Sequence, residues 1–302
     1  PAPPAKIWIV FIDDLHLAAT DTPRVRQVLR QIDEVVIGDD DLVAMVSTGY
    51  SSIATDLSYD IGGRRLQAAA SKVMGSGLTP AQIISAPSGT SGVSEIKYQA
   101  HVAFSTAHDL LEQARAIPNR RKAVLYVSNG YDFDPLAESR LKAEQERWEI
   151  PSRDGSGGRT SLANPFDRQG REFSDAELTA DLAELIRAAN RANVSFHTID
   201  VRGLDAGPPI DVHVSPVEWS VMHQKQISSL RVLAEETGGV AVVNTNNILG
   251  GLRRIADDMS DYYVIGYTST NTDRASRVRR VEITLPRRPG VTLRYEGRYA
   301  IR

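Results

Sequence analysis

Apolar residues recur along this chain in two alternating rhythms. Ile7-Trp8-Ile9-Val10-Phe11-Ile12 is an unbroken apolar run, rich in β-branched and aromatic side chains. Such a run predicts a strand buried on both faces, as in a parallel sheet. It ends in Asp13-Asp14. Over 21–37, Val25, Val28, Leu29, Ile32, Val35 and Val36 fall at helical spacing, with Asp21 or Thr22 as cap and Pro23 in the first turn. The alternation continues with a strand at 42–46, a short edge strand at 52–58 and a helix at 64–74. A long helix over 93–116 has no internal Pro or Gly, and a strand at 122–128 follows it. Beyond these come a charged helix at 136–149 and a helix from Ser174 to about Asn190, opened by a Ser174/Glu177 capping box. A strand at 194–201, a helix at 216–236 closed by Gly238-Gly239, a strand at 240–243 and a helix at 246–260 complete the series. Residues 75–92, rich in Gly, Ser, Thr and Pro, and 152–159 read as loops.

Strands alternating with helices predict βαβ units and hence the α/β class, with a doubly wound, mostly parallel sheet flanked by helices. The last forty residues break the rhythm. Segments 262–268, 277–285 and 291–300 read as three strands with no helices between them and Pro289-Gly290 as a turn. They predict a small antiparallel β-rich extension over 261–302, packed on an α/β domain that covers 1–260 and carries an insertion at about 133–173.

Charge sharpens this division. The net charge is −3, yet the segment 262–302 holds nine Arg against only Asp273, Glu282 and Glu296, so it is +6 and the remainder −9. Half of the ten tyrosines lie there too, at Tyr262, Tyr263, Tyr267, Tyr295 and Tyr299. A negative balance over most of the chain argues against a nucleic-acid binder. No window of 18 residues is both free of charge and apolar throughout, which argues against a transmembrane segment. The absence of cysteine excludes disulfides, thiolate metal sites and thiol nucleophiles, and fits a protein of an oxidising, extracytoplasmic compartment. The chain opens on Pro-Ala-Pro-Pro, the start expected of a trimmed sequence.

In an open α/β sheet, ligands bind beyond the carboxyl ends of the strands. There the sequence places Asp13-Asp14-Leu15-His16, Asn129-Gly130-Tyr131-Asp132 and, before the long helix, Gly89-Thr90. Asp13, Asp14, His16, Thr90, Asn129 and Asp132 are therefore the candidate ligand-binding residues. Hard oxygen donors of this kind suit Mg²⁺, Ca²⁺ or Mn²⁺, and the imidazole brings in Zn²⁺. No Gly-x-Ser-x-Gly, His-Glu-x-x-His or Walker loop is present. His101 and His108 read as surface or packing residues, and His197 as a satisfied core residue.

The first strand ending in Asp, the Gly-Thr before a long helix and the Ser-Asn-Gly-Tyr-Asp after a buried strand resemble a von Willebrand factor type A domain. The tail adds to the likeness. Asp261-Tyr-Tyr-Val-Ile-Gly-Tyr267, Arg279-Arg-Val-Glu-Ile283 and Val291-Thr-Leu-Arg-Tyr-Glu-Gly-Arg-Tyr299 resemble the C-terminal module of the bacterial von Willebrand A-related family common in acidobacteria. The resemblance implies a metal-ion-dependent adhesion site, with Asp13, Asp14 and Thr90 as ligands of a divalent cation (Mg, Ca, Mn or Zn). It also implies a protein or surface-polymer partner outside the bacterial cytoplasm. This sequence departs from the family's Asp-x-Ser-x-Ser, since Leu15 and Leu17 stand at the serine positions, and Asn129 replaces the Asp before Gly130. The expectation is therefore a non-enzymatic binding module with a degenerate metal site. A metal-dependent hydrolase using Asp14 and His16, and a structural scaffold with a vestigial site, are the alternatives.

Overall fold

The structure, a computed structural model, describes residues 6–53, 57–85, 91–117, 120–135, 175–210, 212–260, 278–286 and 298–300. Six strands form one sheet: β1 (Ile7–Ile12), β2 (Leu42–Ser47), β3 (Tyr59–Ile61), β4 (Lys122–Val127), β5 (Val194–Ile199) and β6 (Ala241–Val242). Their order is β3-β2-β1-β4-β5-β6, parallel throughout except that β3 runs antiparallel along β2 at one edge. The fold is therefore α/β, with a mostly parallel central sheet. All six residues of β1 are buried, as its continuous apolar run requires at the centre of a two-sided sheet.

Side chains alternate across each strand, so the sheet feeds two cores. Trp8, Val10 and Ile12 pack on one face with Val25, Val28, Leu29 and Ile32 of α1 (Thr22–Val35). Ile9 and Phe11 pack on the other with α4 (Ser91–Arg115), α5 (Asp175–Ala192) and α6 (Pro216–Glu236). The helix α7 (Ile248–Ser260) joins the α1 side, and Leu252, Ile255 and Met259 face the core. The alanine-lined stripe of α4 (Ala100, Ala103, Ala107, Ala114) meets α5, and a Lys97–Asp175 ion pair of 2.7 Å and a His101–Asp181 hydrogen bond of 2.9 Å tie the two helices together. His101 is thus a surface residue that links the helix pair. His197 lies in the core, where its Nδ1 accepts from the Val240 amide at 3.1 Å. Among the described residues, no helix is long and apolar enough to cross a membrane.

Several expectations shift. The edge strand falls at Tyr59–Ile61, after the 52–58 window, and pairs with Leu42–Ala44. The helix expected at 64–74 is the short α2 (Leu66–Ala70). The segment read as loop at 75–92 contains α3 (Pro80–Ile84), nucleated by a capping box between Thr79 and Gln82. In the tail, β7 (Val278–Arg280) and β8 (Arg298–Ala300) pair antiparallel as a separate two-stranded sheet. The strand expected at 262–268, most of the insertion at 133–173 and the helix at 136–149 lie outside the described residues.

One buried carboxylate anchors the start of the sheet. Asp41 accepts from the Lys6 amide at 2.9 Å, the Trp8 indole at 2.9 Å and the Gly38 amide at 3.0 Å. It thereby pins the entry of β2 to the first residues of β1. Asp41→Ala leaves these donors without an acceptor and is expected to cost about 2–4 kcal/mol in urea unfolding. A loss under roughly 0.5 kcal/mol would show that the three bonds are not formed together.

Candidate functional site

Strand order reverses between β1 and β4, so the crevice at the switch point lies beyond Ile12 and Val127, which are register partners. Asp13 comes next on β1 and is fully buried. Its Oδ1 pairs with His16 Nδ1 at 2.8 Å, one turn onward. Its Oδ2 accepts from the Tyr126 hydroxyl at 2.8 Å, the Ser128 hydroxyl at 2.8 Å and the Tyr131 hydroxyl at 3.0 Å. The two phenol oxygens also lie against each other. Burial by itself raises the Asp13 carboxyl. The charge of His16 and the hydrogen bonds from His16, Tyr126 and Ser128 outweigh it, and hold the group below the ordinary aspartate value. Burial first, and then the Asp13 charge, push both tyrosines well above their usual value, so both stay phenols and both donate.

Asp14 turns the other way. Its carboxylate accepts from the Thr48 hydroxyl and from the Tyr50 and Ser51 amides, all in the loop after β2. Its carbonyl takes the Ser76 amide at 2.9 Å and the Ser76 hydroxyl at 3.0 Å. The Ser51 hydroxyl in turn bridges the Met74 amide and carbonyl. Asp14 thus stitches the loops of β1 and β2 to the 74–77 segment.

His16 packs edge-on against Tyr131 at 4.6 Å between ring centroids, and its buried Nε2 has no hydrogen-bond partner among the described residues. Asn129 donates to Asp21 Oδ2 at 2.7 Å, while its own Oδ1 is buried without a partner. Burial raises Asp21, against the opposing pull of the Asn129 bond and of Arg202. Asp132 faces α6, where Lys225 Nζ lies 3.1 Å away, and burial raises its carboxyl despite that pairing. Thr90 lies outside the described residues. The structure therefore brings Asp13, His16 and the Ser128-Asn129 turn together, and sends Asp14 toward β2 and Asp132 toward α6.

The loop after β4 is clamped by α6. Tyr131 N donates to Ser229 Oγ at 3.1 Å. Gly130 has φ of +78°, and a Cβ there would run into the Gln226 carbonyl, so only glycine serves both the turn and the close approach.

Sequence reasoning missed a second polar cluster, at the end of β5. Asp200 is fully buried and held by the Arg202 fork, with Nε–Oδ1 at 2.9 Å and Nη2–Oδ2 at 2.8 Å. The same guanidinium donates to the Asn129 carbonyl at 2.7 Å and to the Gln226 side chain. The Asp200-Val-Arg202 run follows a buried strand, as Asp13 does, and the reasoning used for β1 and β4 would have singled it out. Nothing in the sequence marked Tyr126, Ser128 and Tyr131 as partners of Asp13.

Among the described residues, the donors at the strand ends are not gathered around a point that a hard divalent cation could occupy. Leu15 and Leu17 offer no ligand atom, and Leu17 is in the core. Asp13 already accepts four bonds from the protein's own groups, and the Asp14 carboxylate points into a different loop. Among the described residues, no group of three His, Cys, Asp or Glu is placed to hold a metal ion. Apolar side chains flank this crest. Tyr50, Met74 and Leu78 are exposed on the β2 side, and Leu204, Ile210, Val217 and Val221 on the loop after β5 and the first turns of α6. No protein-family model matches the chain, and no curated protein is significantly similar to it.

Proposed function

We propose that this chain is a binding module of the von Willebrand A-related kind, acting outside the bacterial cytoplasm. It takes a protein or surface polymer on the loops at the carboxyl ends of its strands, through direct contacts and without a shared metal ion. The carrying observation is how the crest uses its polar groups. Asp13, Asp14, Asp132 and Asp200 are each engaged by donors of the same chain. That arrangement fixes the shape of the loops and leaves exposed apolar side chains, with Tyr50 at 54% and Val217 at 71%, as the contact groups. An aspartate at the end of β1, the neighbouring β4 and the Asn129-Gly130 turn beyond it support the likeness to that family.

One observation favours a second reading. Asp13 orients His16 as a carboxylate orients a general base, and His16 Nε2 is unpartnered. A hydrolase would therefore use Asp13 with His16 in place of the expected Asp14, which faces away from the imidazole.

Capture on the immobilised chain from a bacterial envelope extract separates these readings. A partner held equally with and without chelator, and weakened tenfold or more by Tyr50→Asp with Ile210→Asp, supports the proposal. Tight Mg²⁺ binding in calorimetry that Asp13→Asn abolishes would overturn it in favour of metal-dependent adhesion. Hydrolytic activity lost in His16→Gln would overturn it in favour of the enzyme.

A further inference from the structure

His223 sits on the second turn of α6, is 4% exposed, and its Nε2 is buried with no hydrogen-bond partner among the described residues. The charged and polar groups around it come from two loops, those after β5 and β6. Arg202 and Asp200 lie at the end of β5, Asp205 lies beyond them, and Asn244, whose side chain favours the protonated ring, follows β6. Asp205 is itself engaged, accepting from the Trp219 indole at 2.8 Å and the Gly207 amide at 3.0 Å. α3, which also packs on α6, holds no ionisable residue. A proton on the ring would thus put a second cation into a buried site beside the Arg202 guanidinium.

The stretch of α6 around His223 is the part that closes the site. Trp219 is tied to Asp205, Lys225 to Asp132, Gln226 to Arg202 and Ser229 to the Tyr131 amide. We propose that His223 is an acid-sensitive latch, whose protonation releases the Trp219-to-Ser229 stretch of α6 from the strand-end loops and opens the crevice they frame. This device follows from the fold and does not depend on what the face binds. Burial first, and then Arg202, lower the imidazole below its ordinary value against the opposing pull of Asp205, Asp200 and Asn244. The closed state therefore prefers the neutral ring. Its advantage over the open state is complete above the ordinary imidazole value of about 6.5 and falls roughly tenfold per pH unit below it, until the lowered value is reached.

Hydrogen exchange reads this directly, because the Tyr131 amide donates to Ser229 of α6. Its protection factor, corrected for the intrinsic pH dependence of exchange, is expected to fall about tenfold per pH unit below pH ~6.5, while the β4 amides keep theirs. In His223→Gln the fall should disappear. A fall that persists in that variant, or none in the native chain, overturns the latch. Should His223→Gln not fold, the native imidazole resonance serves instead: its titration midpoint must coincide with the loss of Tyr131 protection, and a mismatch overturns the proposal.

Discussion

Asp13→Ala is expected to lower the unfolding free energy by about 3–5 kcal/mol, the range for breaking a buried charged cluster by removing one partner. The carboxylate is fully buried and accepts from His16, Tyr126, Ser128 and Tyr131. Its removal strands two phenols, a hydroxyl and an imidazole in a space that excludes water, and each unsatisfied donor carries its own desolvation cost. Asp13→Asn should fall between the two, because its carbonyl oxygen still accepts while its NH₂ faces other donors. The pH dependence has a definite sign. The carboxyl is depressed in the folded state, so its stabilising contribution is complete above the unfolded value of about 3.9 and is lost as pH falls through the lower folded value. Urea unfolding at pH 7 and again near pH 3 should therefore show the gap between native and Asp13→Ala chains shrinking with acid. A gap of less than about 1 kcal/mol at pH 7 would mean that the cluster relaxes around the loss.

The strands of the central sheet were legible because their apolar runs are continuous, and a continuous run has one stable home in a layered α/β fold. β3 was misplaced because an edge strand has half its surface in solvent and little pattern to reveal it: Tyr59 and Asp60 are only partly buried and Ile61 is exposed. α3 was hidden by composition, although Thr79-Pro80 followed by Gln82 is a local helix-start pattern that outweighs the Gly, Ser and Thr around it.

The position of the candidate site was readable, and its wiring was not. Asp13 and Asp14 are consecutive at a strand end, so divergence of their side chains follows from the pleat alone. Which group receives each carboxylate depends on register. Ile12 pairs with Val127, which puts Asp13 beside Ser128, and Tyr126 shares that face two residues earlier. The distances that matter span 113–118 residues of chain, and no local pattern encodes them. Arg202 illustrates the same limit: its contacts with Asp200 are local, but those with Asn129 and Gln226 exist only once β4, β5 and α6 are assembled.

That assembly makes Arg202→Leu the other large loss expected, again about 3–5 kcal/mol. The guanidinium is 13% exposed and faces a carboxylate that is wholly buried. Without it, Asp200 keeps, among the described residues, only the amide of residue 202, at 3.0 Å, and the Asn129 carbonyl and Gln226 side chain each lose a donor. The pair as a whole contributes far less than either half, because forming it desolvates two charges. Asp200→Val with Arg202→Leu is accordingly expected to recover most of the loss, with a double-mutant cycle giving a coupling of about 2–3 kcal/mol between the sites. Chemical denaturation of the three variants at pH 7 decides it. If Arg202→Leu costs under about 1 kcal/mol, the fork is a surface pair in effect and does not hold the three elements together. The double variant also bears on His223, since Arg202 is among the influences that lower that imidazole. With both charges of the pair gone, burial remains, and it is the larger influence. The His223 resonance should therefore still titrate below the ordinary imidazole value, and acid should still release α6.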